Sequence, residues 1–341
     1  MSFKNLSNSD ITVVPSDVVG VPSECNLYED SSETLRIKPG ETENFMLNFE
    51  LKEKAKSFSQ TDFSLSLDIR KTSEWENSSY FTYSGSTITG MNTSSTYSTD
   101  KPRCIVMPES YGGNTITATA DGTEATPTFQ KLAAETKYVV MADSIKTLGS
   151  YAFWHIDSIK SIKFSNNLEA MKEHAGQARG LTAVTIPSTV KTFGNSLFVD
   201  DTKLGIITIP EDSKLESMGY YAMANCAWTG VYLPNGLRTI LANALVCPRA
   251  ISITIPASVT DMGILYYYGA DFANLKWIRF EGSSLLDAVS LLPINDNSTI
   301  GTKTWVRTDS DDAPTSWAST VKEIPATGNA GYYHRKSGYT A

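Results

Sequence analysis

Histidine and cysteine are scarce: the 341 residues include three of the first and four of the second. Cys25, Cys104, Cys226 and Cys247 have neither metal-ligand nor redox-pair spacing. A chain of this length needs no disulfide scaffold, so the cysteines are expected to be reduced and mostly buried. Counting alone leaves a Cys226–Cys247 bridge open. No apolar run reaches the roughly 18 residues a membrane helix requires. The opening MSFKNLSNSDITVV has no apolar core after Lys4. Ordinary secretion therefore finds no support there, unless a leader has been removed. Basic stretches are missing as well, and the net charge of −8 speaks against a broad nucleic-acid surface. No glycine-rich phosphate loop, GxSxG or HExxH pattern occurs. What remains is a chain that is 41% apolar and 10% aromatic, enough for a sizeable core.

Its most legible feature is a repeat. The segments VVM, IKF, VTI, ITI, VYL, ITI and IRF end at Met141, Phe164, Ile186, Ile209, Leu233, Ile255 and Phe280, at intervals of 22 to 25 residues. Two positions before each end stand Val139, Ile162, Val184, Ile207, Val231, Ile253 and Ile278, all β-branched, as short strands favour. Five before the end stand Ile159, Leu181, Leu204, Trp228, Ala250 and Leu275. Leu148, Met171, Phe193, Ile240 and Met262 follow seven after an end. Met218 follows nine after Ile209, as if the EDSK stretch held a two-residue insertion. Glycine comes next at 149, 194, 219 and 263, where it permits positive φ or close backbone packing. One unit has too little apolar area to fold alone, whereas stacked units bury a continuous core. Pro187, Pro210, Pro234 and Pro256, each directly after a strand, end the ladder there. The expectation is a curved solenoid of parallel strands over residues 136–285.

TIPSTVKTFGNSLF (Thr185–Phe198), ITIPASVTDMG (Ile253–Gly263), IKTLGSYAF (Ile145–Phe153) and MGYYAMANC (Met218–Cys226) resemble the BspA-like leucine-rich repeat, a family found in bacterial surface proteins. The resemblance implies a binding or structural role, and the fold implied is mainly β. Lys172 stands in the glycine column of one unit and ILANAL (Ile240–Leu245) lacks the glycine, so both units are expected to be locally irregular.

Residues between the inward columns point outward. The candidate binding face is Lys163, Thr185, Thr208, Tyr232, Thr254, Trp277 and Arg279, with Val140 heading the same column. Tyr232, Trp277 and Arg279 are the residue types that dominate interfaces. Packing of Tyr232 and Trp277 against the carboxy-terminal segment is the competing reading.

The flanks differ in texture. Residues 20–122 read as an antiparallel β-sandwich-like attachment domain. Its strands include LRIKPGETENFMLNFEL (Leu35–Leu51), FSLSLDI (Phe63–Ile69), CIVM and NTITATA. Residues 1–19 read as an extended arm or edge strand, and 123–135 as a linker. FKNLSNSDITVVP (Phe3–Pro15) resembles the start of tailed-phage virion proteins, which implies an attachment arm. Residues 286–341 read as a cap and tail. Trp305 and Val306 lie in a strand, Ser316–Val321 form a short helix carrying Trp317, and the last residues form a closing hairpin or a docking arm.

No catalytic, cofactor or metal site is expected. His155 and His174 lie 19 residues apart in successive loops, with no cysteine or acidic residue joining them at a defined spacing. Asp309, Asp311 and Asp312 lack the glycine and distal glutamate of a calcium loop. The leading functional expectation is a virion-associated structural or host-attachment protein in a phage particle. It would meet other virion proteins through its amino-terminal region, with a homo-oligomer possible. The alternative is a bacterial cell-surface or secreted adhesin-like protein that recognises a host protein or glycan through the repeat face.

Overall fold

A computed structural model describes residues 76–263 except 95–96, residues 265 and 274–282, and, outside that span, short segments within 2–72 together with 305–308 and 331–335. The expected helix at Ser316–Val321 and the acidic run Asp309–Asp312 lie outside these residues.

Each repeat supplies two short strands, and like strands of successive repeats pair in parallel. The first ladder carries the β-branched columns. Cys104–Val106 pairs with Tyr138–Val140, which pairs with Ser161–Lys163. Ala183–Thr185 pairs with Ile206–Thr208, and Ser252–Ile255 with Trp277–Phe280. Residues 231–233, between these last two pairs, form no strand. The second ladder runs in one order through Thr87–Met91, Ala118–Thr119, Thr147–Leu148, Ala170–Met171, Thr192–Phe193, Ser217–Met218, Thr239–Ile240 and Asp261–Met262. Phe193 pairs with Met218 in the common register, so the turn before Ser217 absorbs the two-residue insertion. The register also holds at Met171 and Ile240, and the units lacking glycine are regular there.

Both ladders start earlier than residue 136. CIVM and NTITATA, expected as antiparallel strands of a separate sheet, contribute Cys104–Val106 and Ala118–Thr119 to the parallel ladders, while the start of NTITATA, Asn114–Thr115, does pair antiparallel with Ser110–Tyr111. Within the expected linker, the amides of Thr128 and Phe129 donate to the carbonyls of Tyr151 and Ala152, and just before it Gly122 donates to Ser150. Phe129 stacks on Phe153 with ring centroids 5.0 Å apart.

The interior is continuous along the stack. Ile159, Leu181, Leu204, Trp228, Ala250 and Leu275 are all buried, as are Val139, Ile162, Val184, Ile207, Ile253 and Ile278. Val231, in the unit without a strand, is only partly buried. The structure is therefore a mainly β, curved leucine-rich-repeat solenoid, with a single turn of α-helix at Tyr97–Asp100 beside its repeats.

The ends are closed by strands of opposite direction. Phe81–Ser84 pairs antiparallel with Thr87–Met91 at the start of the second ladder. Gly331–Arg335 pairs antiparallel with Trp277–Phe280, and Trp305–Thr308 with Gly331–Arg335, at the end of the first. Gly331–Arg335 thus covers the last repeat, which would otherwise leave its strand edge unpaired.

Nearer the amino terminus, Ile11–Val19 lies between Leu35–Ile37 and Ser64–Lys71 in an antiparallel sheet. A register shift between Pro15 and Asp17 accommodates a proline in this middle strand. Ser2–Lys4 pairs with Thr42–Asn44. The opening segment is built into sheets, as the central strand of three in one case. Lys38 reaches Asp143 of the solenoid at 2.9 Å.

Candidate functional site

Strand alternation sorts the first ladder into two faces. In Ala183–Thr185 the middle residue is buried and Thr185 exposed; in Ile206–Thr208 Ile207 is buried and Ile206 exposed. The predicted face therefore forms a column along the stack. Parallel pairing sets Thr185 beside Thr208, and Thr254 beside Arg279. Lys163, Thr208, Thr254, Trp277 and Arg279 are half-buried, and Tyr232 is 46% exposed. Arg279 pairs with Glu281 at 3.2 Å. The backbone of Trp277 is engaged by the closing strand opposite His334, whereas Tyr232 stays open. Lys163, Asn166, Thr185, Ser188, Pro210 and Asp212 border a cavity of about 180 Å³ at the carboxyl ends of these strands.

The face does not extend to the first units. Val140 occupies its outward position but is buried, with Cys104, Val106 and Tyr138, in a small cluster apart from the main core. The Arg103 guanidinium lies 5.5 Å from the Tyr138 ring centre. Lys163 is therefore the first accessible member of the column. Ile206, which the same alternation turns outward three before a repeat end but which was not counted in the candidate face, is an apolar residue 36% exposed at this surface.

A second concavity of about 470 Å³ lies beside the second ladder, bordered by Thr117, Lys146, Asn167, Glu169, Lys191 and Lys214. Lys146, Glu169, Lys191, Glu216 and Arg238 alternate in sign from repeat to repeat. Glu169 bridges Lys146 at 3.5 Å and Lys191 at 2.9 Å. The hydrogen bond from Lys191 heads the causes that hold the Glu169 carboxyl below its ordinary range. Alternation gives each charge an opposite neighbour along the stack.

The turns opposite the strand face bring His155 and His174 together through Gln177. His174 Nδ1 lies 2.8 Å from Gln177 Oε1, and Gln177 Nε2 lies 3.4 Å from His155 Nε2. Arg179 NH2 approaches the same His155 nitrogen to 2.6 Å. Arginine only donates, so His155 Nε2 accepts and the ring is neutral. Burial first, then the Arg179 charge, hold its pKa below the usual value, while Asp157 and Asp200 pull the other way and His174 adds a further lowering. A histidine depressed in the folded state contributes stability that is full above about 6.5 and is lost as pH falls. In a proton NMR titration the His155 midpoint should lie below 6.5, and it should rise in Arg179→Gln. A midpoint at or above that value would rule out the acceptor role.

Cys104, Cys226 and Cys247 are buried, and Cys226 and Cys247 are not bridged. The Cys226 thiol donates to the Phe198 carbonyl, and Cys247 to those of Cys226 and Trp228, each at 3.1 Å. Burial pushes the Cys226 thiol well above its ordinary pKa and Cys247 to about 11, so neither is a nucleophile. Among the described residues no three His, Cys, Asp or Glu side chains are placed to hold a metal, and no helix is long and apolar enough to cross a membrane.

Paired short strands, one buried column and one open column per turn define a leucine-rich-repeat scaffold. The family described as BspA type leucine rich repeat region is matched in six copies by residues 126–245 and 177–284. No curated protein matches the chain. Among solved structures it is similar to a leucine-rich-repeat protein of Treponema pallidum (T. pallidum), at 19% identity and a TM-score of 0.45, over 54% of this chain and 84% of that one. A leucine-rich cell surface protein of Faecalibacterium prausnitzii shares 19% identity at a TM-score of 0.39, over 62% of this chain and 56% of that one. The pneumococcal vaccine antigen PcpA shares 18% at 0.35, over 59% and 47%.

These comparisons correct the expectation of a virion-associated structural or host-attachment protein. The similar structures are leucine-rich-repeat proteins of bacteria, one of them described as a cell surface protein, and none of these is a virion component. The phage-like reading of Phe3–Pro15 falls with it, because Ile11–Val19 is the paired centre of a sheet rather than a free arm.

Proposed function

We propose that this chain is a non-catalytic bacterial cell-surface or secreted binding protein that engages a host protein through the outward column from Lys163 to Arg279. The observation that carries the reading is Tyr232. It stands 46% exposed, with Leu233 beside it buried and Val231 partly buried. Threonines and half-buried Trp277 flank it, with Ile206 exposed nearby. A large amphipathic ring amid small polar side chains is the composition of an interface centre, where a few aromatic and arginine anchors dominate affinity. The fold gives this column a fixed pitch, so the anchors need no ordering on association.

Two measurements test the proposal. Antibody labelling of intact cells of the native source should find the chain at the surface or in the medium. Binding of the purified chain to host epithelial monolayers should fall about tenfold or more for Tyr232→Ala combined with Arg279→Ala, as for loss of interface anchors, with the melting temperature unchanged. Undiminished binding by that variant would remove the column from consideration.

A further inference from the structure

We infer that the turn side of the repeats between Tyr151 and Arg179 is a second binding site, whose ligand is a neutral saccharide. It faces away from the strand column and is independent of the function proposed above.

Four rings form a continuous strip there. Trp154 stacks on His155 with centroids 3.7 Å apart, Tyr151 meets the Trp154 edge at 5.9 Å, and Tyr151 tilts against His174 at 4.7 Å. All four are half-buried, so each keeps part of its surface open. Stacking alone would favour drawing such rings into the core. Here Tyr151, His155 and His174 instead take φ of +54°, +56° and +54°. That region is costly for bulky side chains, and the register of the turns imposes it here as it does at Ser196, Tyr221 and Asn243. Gln177, 2% exposed, is the brace: its amide holds both imidazoles.

The polar rim decides the ligand class. Arg179 is exposed, and its guanidinium, with one nitrogen held on His155, offers only donors. Asp157, Glu173 and Asp200 are exposed around the same rings, Asp200 already accepting from Asn225 at 2.7 Å. An anionic ligand would meet these carboxylates, and a cationic one would meet Arg179. A neutral polyol uses both kinds of group, its hydroxyls donating to carboxylate oxygens and accepting from the guanidinium. The C–H face of a pyranose is also apolar and flat enough to lie on an indole or phenol ring.

The test is calorimetric titration of the full chain with chitohexaose, cellohexaose and maltoheptaose, and with a hexagalacturonate as the acidic probe. At least one neutral oligosaccharide should bind. Trp154→Ala and Arg179→Gln should each weaken it tenfold or more, while Tyr232→Ala on the strand face leaves it unchanged. Arg179 is exposed, so its variant carries the test should Trp154→Ala fail to fold. Binding of the hexagalacturonate alone, binding of none of the four, full affinity in Arg179→Gln, or loss through Tyr232→Ala would each overturn the inference.

Discussion

Replacing Gly149 by valine is expected to destabilise the protein by about 3 kcal/mol, the upper end for overpacking, because the obstruction is backbone. A Cβ at Gly149 would sit 2.1 Å from the Ala120 carbonyl oxygen; at Gly194 it would sit 2.3 Å from the Lys172 carbonyl carbon. Flexible side chains can retreat from such overlaps, but a paired main chain cannot. Neither glycine has positive φ, so the requirement is close approach between successive repeats and not conformational freedom. Gly230 supplies the control, since a Cβ there meets nothing within 4 Å. Urea unfolding of Gly149→Val, Gly194→Ala and Gly230→Ala measures the difference. Should Gly194→Ala prove no worse than Gly230→Ala, the close-approach account is wrong.

Asp201→Ala should act in the opposite direction and stabilise. Asp201 is fully buried, and neither carboxylate oxygen has a hydrogen-bond partner among the described residues. Its carbonyl accepts from Leu204, as the carbonyl of Ala178 accepts from Leu181 and that of Cys247 from Ala250. The same turn position is thus filled by alanine or cysteine in other repeats, and alanine fits it. Burial raises the Asp201 pKa well above its ordinary value, against the opposing pull of Arg179. A carboxyl raised in the folded state holds its proton where the unfolded chain releases it. The penalty is therefore absent below about pH 4 and grows as pH rises toward the folded value. At pH 8 removal of an unpartnered buried polar group should add about 1–3 kcal/mol, and the gain should shrink toward pH 4. Urea midpoints of both proteins at pH 4.5 and 8 decide it. A variant that loses stability at pH 8 would show that the carboxyl is satisfied after all.

Much of the architecture was readable because the repeat writes the same physics seven times. A β-branched residue such as Val184 or Ile207 recurs wherever a strand must point inward, and a proline such as Pro187 recurs where the strand must stop. The expected irregularity at Lys172 did not materialise: its side chain reaches out to Asp121 at 2.8 Å and leaves the ladder intact. The irregular unit is instead the one containing Gly230 and Tyr232, whose VYL pattern is indistinguishable from its neighbours. Cys104–Val106 and Ala118–Thr119 run parallel where antiparallel pairing was expected, for a related reason. NTITATA alternates like any half-buried strand, and alternation says nothing about whether a partner runs parallel or antiparallel.

The turn side was hidden in a different way. Tyr151, His174, Ser196, Tyr221 and Asn243 occupy one column of left-handed backbone, with φ between +53° and +61°. Only asparagine among them is a usual occupant of that region. The register of the turns imposes the conformation, and no local preference announces it. The neighbourhood of His155, His174, Gln177 and Arg179 likewise arises from stacking across repeats, where spacings of 19 and 24 residues carry no pattern of their own.

The two antiparallel closures bear on how such a chain can grow over generations. Phe81–Ser84 seals one ladder at its start, and Gly331–Arg335 seals the other at its end. A gene duplication that copied one interior unit would be inherited as a longer array still carrying both seals. A copy added beyond Trp277–Phe280 would have to displace a strand already bonded there. Diversity of length in this lineage should therefore enter from the middle, with the oldest segments kept at the two ends.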